Sequence, residues 1–136
     1  MRFLPLCLLL ACGGGDTPND DTGPDSVAAL TFTEIRDDVL VPSCGISGCH
    51  GTGSGALTID PLAPDDIYDA LVNTIGFSGF TLVIPGDPDG SYLIQKLEGA
   101  MGITTGPMPV PTALVVTEPK VVAGIRAWIA AGAPND

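Results

Sequence analysis

Histidine is nearly absent: His50 is the only one among 136 residues. An intrachain bis-histidine metal site is therefore excluded, and any Ser-His hydrolytic pair would have to use this one imidazole, with no nucleophile motif to accompany it. Positive charge is scarce as well, with 5 Lys plus Arg against 16 Asp plus Glu and a formal net charge of −11. Nucleic-acid binding needs clustered cations, so that class drops out and a basic protein partner fits better. Aromatic residues are only 5% of the chain, which leaves a small fold short of bulky core filling. No apolar run is long enough to cross a bilayer as a helix, and no repeat is visible. The length suits one folded domain.

The N-terminal stretch has the build of an export signal. "MRFLPLCLLLAC" carries one positive charge at Arg2, a short apolar stretch, and a small residue before Cys12. "Leu9-Leu10-Ala11-Cys12" resembles a bacterial lipobox, which implies a signal peptide over residues 1–11 and lipidation of Cys12. An ordinary signal cleaved nearby, or a short N-terminal anchor, is the alternative. Residues 12–26 are the lipidated cysteine and a flexible acidic linker of Gly, Asp, Thr, Pro, Asn and Ser, with no hydrophobic anchor. As a random chain this linker would hold the domain about 20 Å from its attachment. The expected arrangement is a domain over residues 27–136, held by lipid to the membrane of the cell envelope, outside the cytoplasm.

Hydrophobic spacing within that domain predicts an all-α fold of about four short helices joined by long loops. Thr31 and Glu34 have capping-box spacing ahead of Ile35 and Val39, and Pro42 is expected to stop this first helix. "PDDIYDALVN" reads as the second, with proline and two acids in its first turn and Ile67, Ala70 and Leu71 on one face. "TLVIPGDPDG" is a short extended run ending in turn chemistry, and "SYLIQKLEG" is the third helix, ended by Gly99. "AMGITTGPMPVPTALVV" reads as loop. Thr117 is expected to cap the last helix, with Glu118 and Pro119 opening it and Val121, Ile125, Trp128 and Ile129 forming its apolar stripe. Short helices are marginal without packing, so a buried prosthetic group of several hundred cubic ångströms would supply core that the aromatics do not.

"CGISGCHG", residues 44–51, carries the chemistry. A c-type haem is attached when two thiols add across its vinyl groups and the following histidine ligates the iron, usually as Cys-x-x-Cys-His. Here the spacing is Cys-x4-Cys-His, with Cys49-His50 adjacent and Gly45 and Gly48 able to accommodate two extra residues. A disulfide between Cys44 and Cys49 is the competing reading in an oxidising compartment. Zinc would need about four ligands, of which this run supplies three at most, and no aspartate run has the alternation of a calcium loop.

From Phe32 to Pro134 the chain resembles the class I cytochrome c domains of secreted bacterial proteins. The likeness rests on four ordered motifs: "FTEIRDDVLVPSCGISGCHG", "IPGDPDGSYLIQKL", "GPMPVP" and "IRAWIAAGAP". The resemblance implies helices around one covalent haem c, with Cys44 and Cys49 as attachment residues, His50 as proximal iron ligand and Met108 as distal ligand. Met108 also sits among Pro107, Pro109 and Pro111, which stiffen its loop, whereas the competing Met101 is flanked by Gly102 and lies near Gly99. Trp128 and Ile125 are expected to pack the last helix against the first, and Tyr92 to be core. The implied function is single-electron transfer to a redox protein with a basic docking face, without enzymatic activity or a small-molecule substrate. A non-haem interaction domain of the same fold, stapled by a Cys44–Cys49 disulfide, is the alternative.

Overall fold

The computed structural model describes residues 27–51 and 57–136. The expected signal peptide, the Cys12 lipidation site and the linker over residues 12–26 lie outside the described residues.

Thr31 and Glu34 form the reciprocal box that their spacing predicts. The Thr31 hydroxyl accepts from the Glu34 N–H at 3.1 Å, and the Glu34 carboxylate accepts from the Thr31 N–H at 2.8 Å. Helix α1 (Phe32–Glu34) starts there and runs on as a π-helix over Ile35–Cys44. The predicted stop at Pro42 is therefore corrected: the helix passes through it. Proline lacks an N–H, and its ring crowds the carbonyl one α-turn back. A wider turn relieves that crowding, and this one closes with the Gly45 N–H donating to the Leu40 carbonyl at 2.7 Å. The chain is thus carried to Cys44 without a break.

Helix α2 (Pro64–Leu71) has its proline in the first turn and buries Ile67 and Leu71. Helix α3 (Tyr92–Glu98) ends at Gly99 as expected. A fourth helix, α4 (Leu114–Thr117), occupies a stretch that the prolines marked as loop; it is a single turn beginning three residues beyond Pro111. Thr117 closes α4 by donating its hydroxyl to the Leu114 carbonyl at 3.3 Å, so it does not cap α5 (Pro119–Ala130), whose N-cap is Glu118. The buried face of α5 is Val122, Ile125, Trp128 and Ile129. Val121 is only half-buried, a small rotation from the predicted stripe. The described residues form no strand, only isolated bridges such as Val72 to Val83 and Ile75 to Thr81. The fold is all-α with long loops.

Trp128 joins the first and last elements. Its indole is 1% exposed and stacks on Phe32 at 5.8 Å between ring centroids, while Phe32 meets Tyr68 edge-on at 5.1 Å. The tail after α5 folds back over this cluster. The Trp128 indole N–H donates to the Pro134 carbonyl at 2.9 Å, and the Tyr68 hydroxyl donates to the Ala133 carbonyl at 2.7 Å. Asp136 then accepts from the Phe32 N–H through its side chain at 2.7 Å and from the Thr33 N–H through its carbonyl at 3.2 Å. Those are orphan donors of the first helix turn, so the tail completes α1.

"PGDPDGS" sets the entry to α3. Ser91 is fully buried, and its hydroxyl accepts from the Ile84 N–H at 2.9 Å while donating to the Asp87 carbonyl at 2.7 Å. Replacing it strands a buried donor, which costs about 1–3 kcal/mol. Ser91→Ala is expected to lower stability by that amount in urea unfolding, with the m-value unchanged.

Candidate functional site

Leaving the π-helix, residues 44–51 fold into a tight loop. The Cys49 N–H donates to the Ile46 carbonyl at 3.1 Å and the His50 N–H to the Cys44 carbonyl at 2.9 Å. The residues that lengthen the spacing are thus turned back on themselves, and His50 is bonded through its backbone to Cys44. Gly48 makes the turn at φ 87°, a left-handed conformation that side chains disfavour. Gly51 permits the closure, since a Cβ there would lie 2.0 Å from the Gly45 carbonyl oxygen.

His50 is oriented by its own loop. Nδ1 lies 2.9 Å from the Leu57 carbonyl oxygen, which can only accept, so Nδ1 is the donor of that bond. This is how ligating histidines are commonly held: one ring nitrogen donates to a fixed acceptor and the other is free to bind a metal.

One cavity of about 820 Å³ is lined by Cys44, Cys49, His50 and Met108 together. Leu40, Ile59, Leu71 and Leu97 supply much of its wall, and each is at most 3% exposed. Besides the cysteines and His50, its polar lining is Ser43, Ser78, Tyr92, Lys96, Thr104 and Thr105. Met101 does not line the cavity and is fully exposed, so the structure brings Met108 and not Met101 to the cysteine-histidine loop. Trp128 does not line it either. Tyr92 does, with its hydroxyl paired to the Thr104 hydroxyl at 2.8 Å and its ring stacked on Phe80.

Met108 is placed by backbone bonds on both sides. Its N–H donates to the Lys96 carbonyl of α3 at 2.9 Å, and its carbonyl accepts from the Leu114 N–H of α4 at 3.1 Å. Lys96, which the sequence analysis passed over, is 9% exposed and points its ammonium into the same loop. Nζ donates to the Thr105 hydroxyl at 2.9 Å, to the Gly106 carbonyl at 2.7 Å, and to the Thr104 carbonyl. The signal for it was a lysine four residues after Tyr92 and between Ile94 and Leu97, on the face of α3 that is otherwise apolar.

Cys44 and Cys49 are both free thiols, Cys44 half-buried and Cys49 exposed. Burial pushes the Cys44 thiol up to about 11, and the neighbouring Cys49 adds in the same direction. Among the described residues, no three His, Cys, Asp or Glu side chains gather as a bare metal ion would require. No helix among them is long and apolar enough to cross a membrane. Comparison with protein families, curated proteins and solved structures finds no match for the chain.

Two outcomes follow from this geometry. In reduced protein prepared without haem, iodoacetamide at pH 8 is expected to label Cys49 at least about tenfold faster than Cys44, read by peptide mass spectrometry. The thiolate is the reactive form, and a thiol titrating near 11 is about one part in a thousand ionised at that pH. Gly51→Ala is expected to force the loop apart and cost about 1–3 kcal/mol in chemical unfolding.

Proposed function

We propose that the chain is a haem c-binding electron-transfer protein with a class I cytochrome c-type fold. It would be tethered through Cys12 to the envelope membrane and pass single electrons between redox partners outside the cytoplasm. The observation that carries this reading is the convergence of Cys44, Cys49, His50 and Met108 on one largely apolar cavity, from stretches of chain that are far apart in sequence. At about 820 Å³, the space falls within the range of cofactor sites.

In this reading Cys44 and Cys49 would hold the haem by thioether bonds, and His50 and Met108 would supply the proximal and distal iron ligands. The haem supplies one-electron cycling of its iron when bound. The chain's own residues do the rest. Leu57 keeps the His50 proton on Nδ1, and the buried leucines and isoleucine keep water from the iron's surroundings. Histidine-methionine ligation and a low-dielectric wall both favour the reduced state and raise the potential. Ile46, Phe77 and Val110 line the cavity and are 49%, 92% and 66% exposed, so its mouth has an apolar rim suited to a transient contact. The net charge of −11 favours a basic partner and a salt-sensitive on-rate.

The test is a pair of absorption spectra, oxidised and dithionite-reduced, of chain exported from a host that matures c-type haem, with a denaturing gel stained for haem. The expected result is a haem-staining band that survives denaturation and a c-type reduced spectrum. Cys44→Ala and Cys49→Ala would each lose one thioether, and His50→Ala the proximal ligand. A colourless protein in which Cys44 and Cys49 are joined by a disulfide would overturn the proposal and leave a stapled interaction domain.

A further inference from the structure

Lys96 is the only lysine or arginine that lines the cavity, and among the described residues it forms no ion pair with a carboxylate. A buried ammonium needs partners for its three protons, and here all three go to oxygen atoms of Thr104, Thr105 and Gly106. Those residues lead directly into Pro107 and Met108. The same residue's carbonyl, in the last turn of α3, receives the Met108 N–H at 2.9 Å alongside a longer bond from the Gly99 N–H at 3.4 Å. One residue therefore grips the loop twice, by side chain before Met108 and by backbone at it. Its own helix is anchored by Ile94 and Leu97 in the core.

We propose that Lys96 is the positioning residue for Met108: its ammonium holds residues 104–106 so that the Met108 thioether stays in the cavity at a fixed place. This rests on the reading of Met108 as distal iron ligand. The backbone bond alone fixes the Met108 amide but leaves the approach of the loop free, and the ammonium removes that freedom. Charge-assisted hydrogen bonds are the stronger kind, and three on one nitrogen leave the loop little room to swing away.

The experiment uses the full chain with Lys96→Met, which keeps the length of the side chain and the backbone bond while deleting the ammonium, and Thr105→Val, which deletes one of the three acceptors. In the haem-loaded protein, Lys96→Met is expected to keep the denaturation-resistant haem band but to lose the far-red charge-transfer absorption of ferric iron bound by methionine. Imidazole, which competes for that coordination position, is expected to bind about tenfold tighter. Thr105→Val is expected to fall between Lys96→Met and the wild type. Hydrogen exchange at the Met108 amide is expected to speed about tenfold in both haem-loaded and haem-free chain, while the α5 amides stay protected and show that the fold persists. Unchanged charge-transfer absorption, imidazole affinity and Met108 exchange would overturn the proposal while leaving the haem reading standing. If the wild-type chain takes no haem, the haem reading fails, and exchange in the haem-free chain decides by itself whether Lys96 holds the loop.

Discussion

Everything in this domain is organised around the buried indole of Trp128. It is the largest fully buried side chain, and it contacts the start of α1 by stacking and the returning tail by its N–H. The stacking contact is long-range and the N–H bond ties α5 to its own tail, so α5 and α1 are held in register by one rigid group with little rotamer freedom to lose. The tail locked over it is held mainly through its carbonyls: those of Ala133, Pro134 and Asp136 accept from Tyr68, Trp128 and Thr33, while the Ala133 N–H donates back to the Trp128 carbonyl at 3.0 Å. This is why a helix-poor chain can make a cooperative unit. Helices of seven to twelve residues such as α2, α3 and α5 would not persist alone in water.

That clasp uses up the aromatic filling. Phe32, Tyr68 and Trp128 all sit in it, while Phe77 and Phe80 are exposed and Tyr92 borders the cavity. The cavity wall is mostly aliphatic, with Phe77 and Tyr92 as the aromatic members of its lining. The cavity is not enclosed: it opens through the exposed Ile46, Phe77 and Val110, so water reaches it. That water meets a wall that is largely apolar, with its polar groups at only a few places. On the haem reading proposed above, a large flat apolar group would replace that water, and its binding would add to folding stability. The shortage of aromatics and the size of the cavity are thus one fact seen at two levels, sequence and packing.

Much of this was legible in the residues. The capping box at Thr31 and Glu34, the proline-and-acid start of α2, the glycine end of α3 and the packing of Trp128 against the first helix all follow from local spacing, because each is decided within one turn or by one apolar stripe. The failures have physical causes. Pro42 reads as a stop because an α-helix cannot tolerate it, but a π-helix is invisible to a 3.6-residue period. Helix α4 is a single turn, stabilised by its contacts with α3 and α5, which no propensity in four residues announces. Lys96 was hidden for a similar reason. A lysine on a short helix is ordinarily solvated, and only the fold shows that residues 104–106 return to meet it. The convergence of Met108 with His50 was expected from family likeness, since nothing in the spacing of residues 50 and 108 requires it.

The two sides of the cavity are held by different kinds of order. His50 is fixed locally, by bonds to Cys44 and Leu57 within seven residues of it. Met108 is fixed by α3 and α4, which must already be packed on α5 before they can hold it. Local contacts carry little closure entropy and long-range ones carry more, so the distal side is the one that weakens first when the domain is stressed. A loosened α3 or α4 would release Met108 while His50 kept its orientation. One side of the cavity is therefore fixed by its own loop and the other by packing, and the three bonds of the buried Lys96 ammonium lie on the second side.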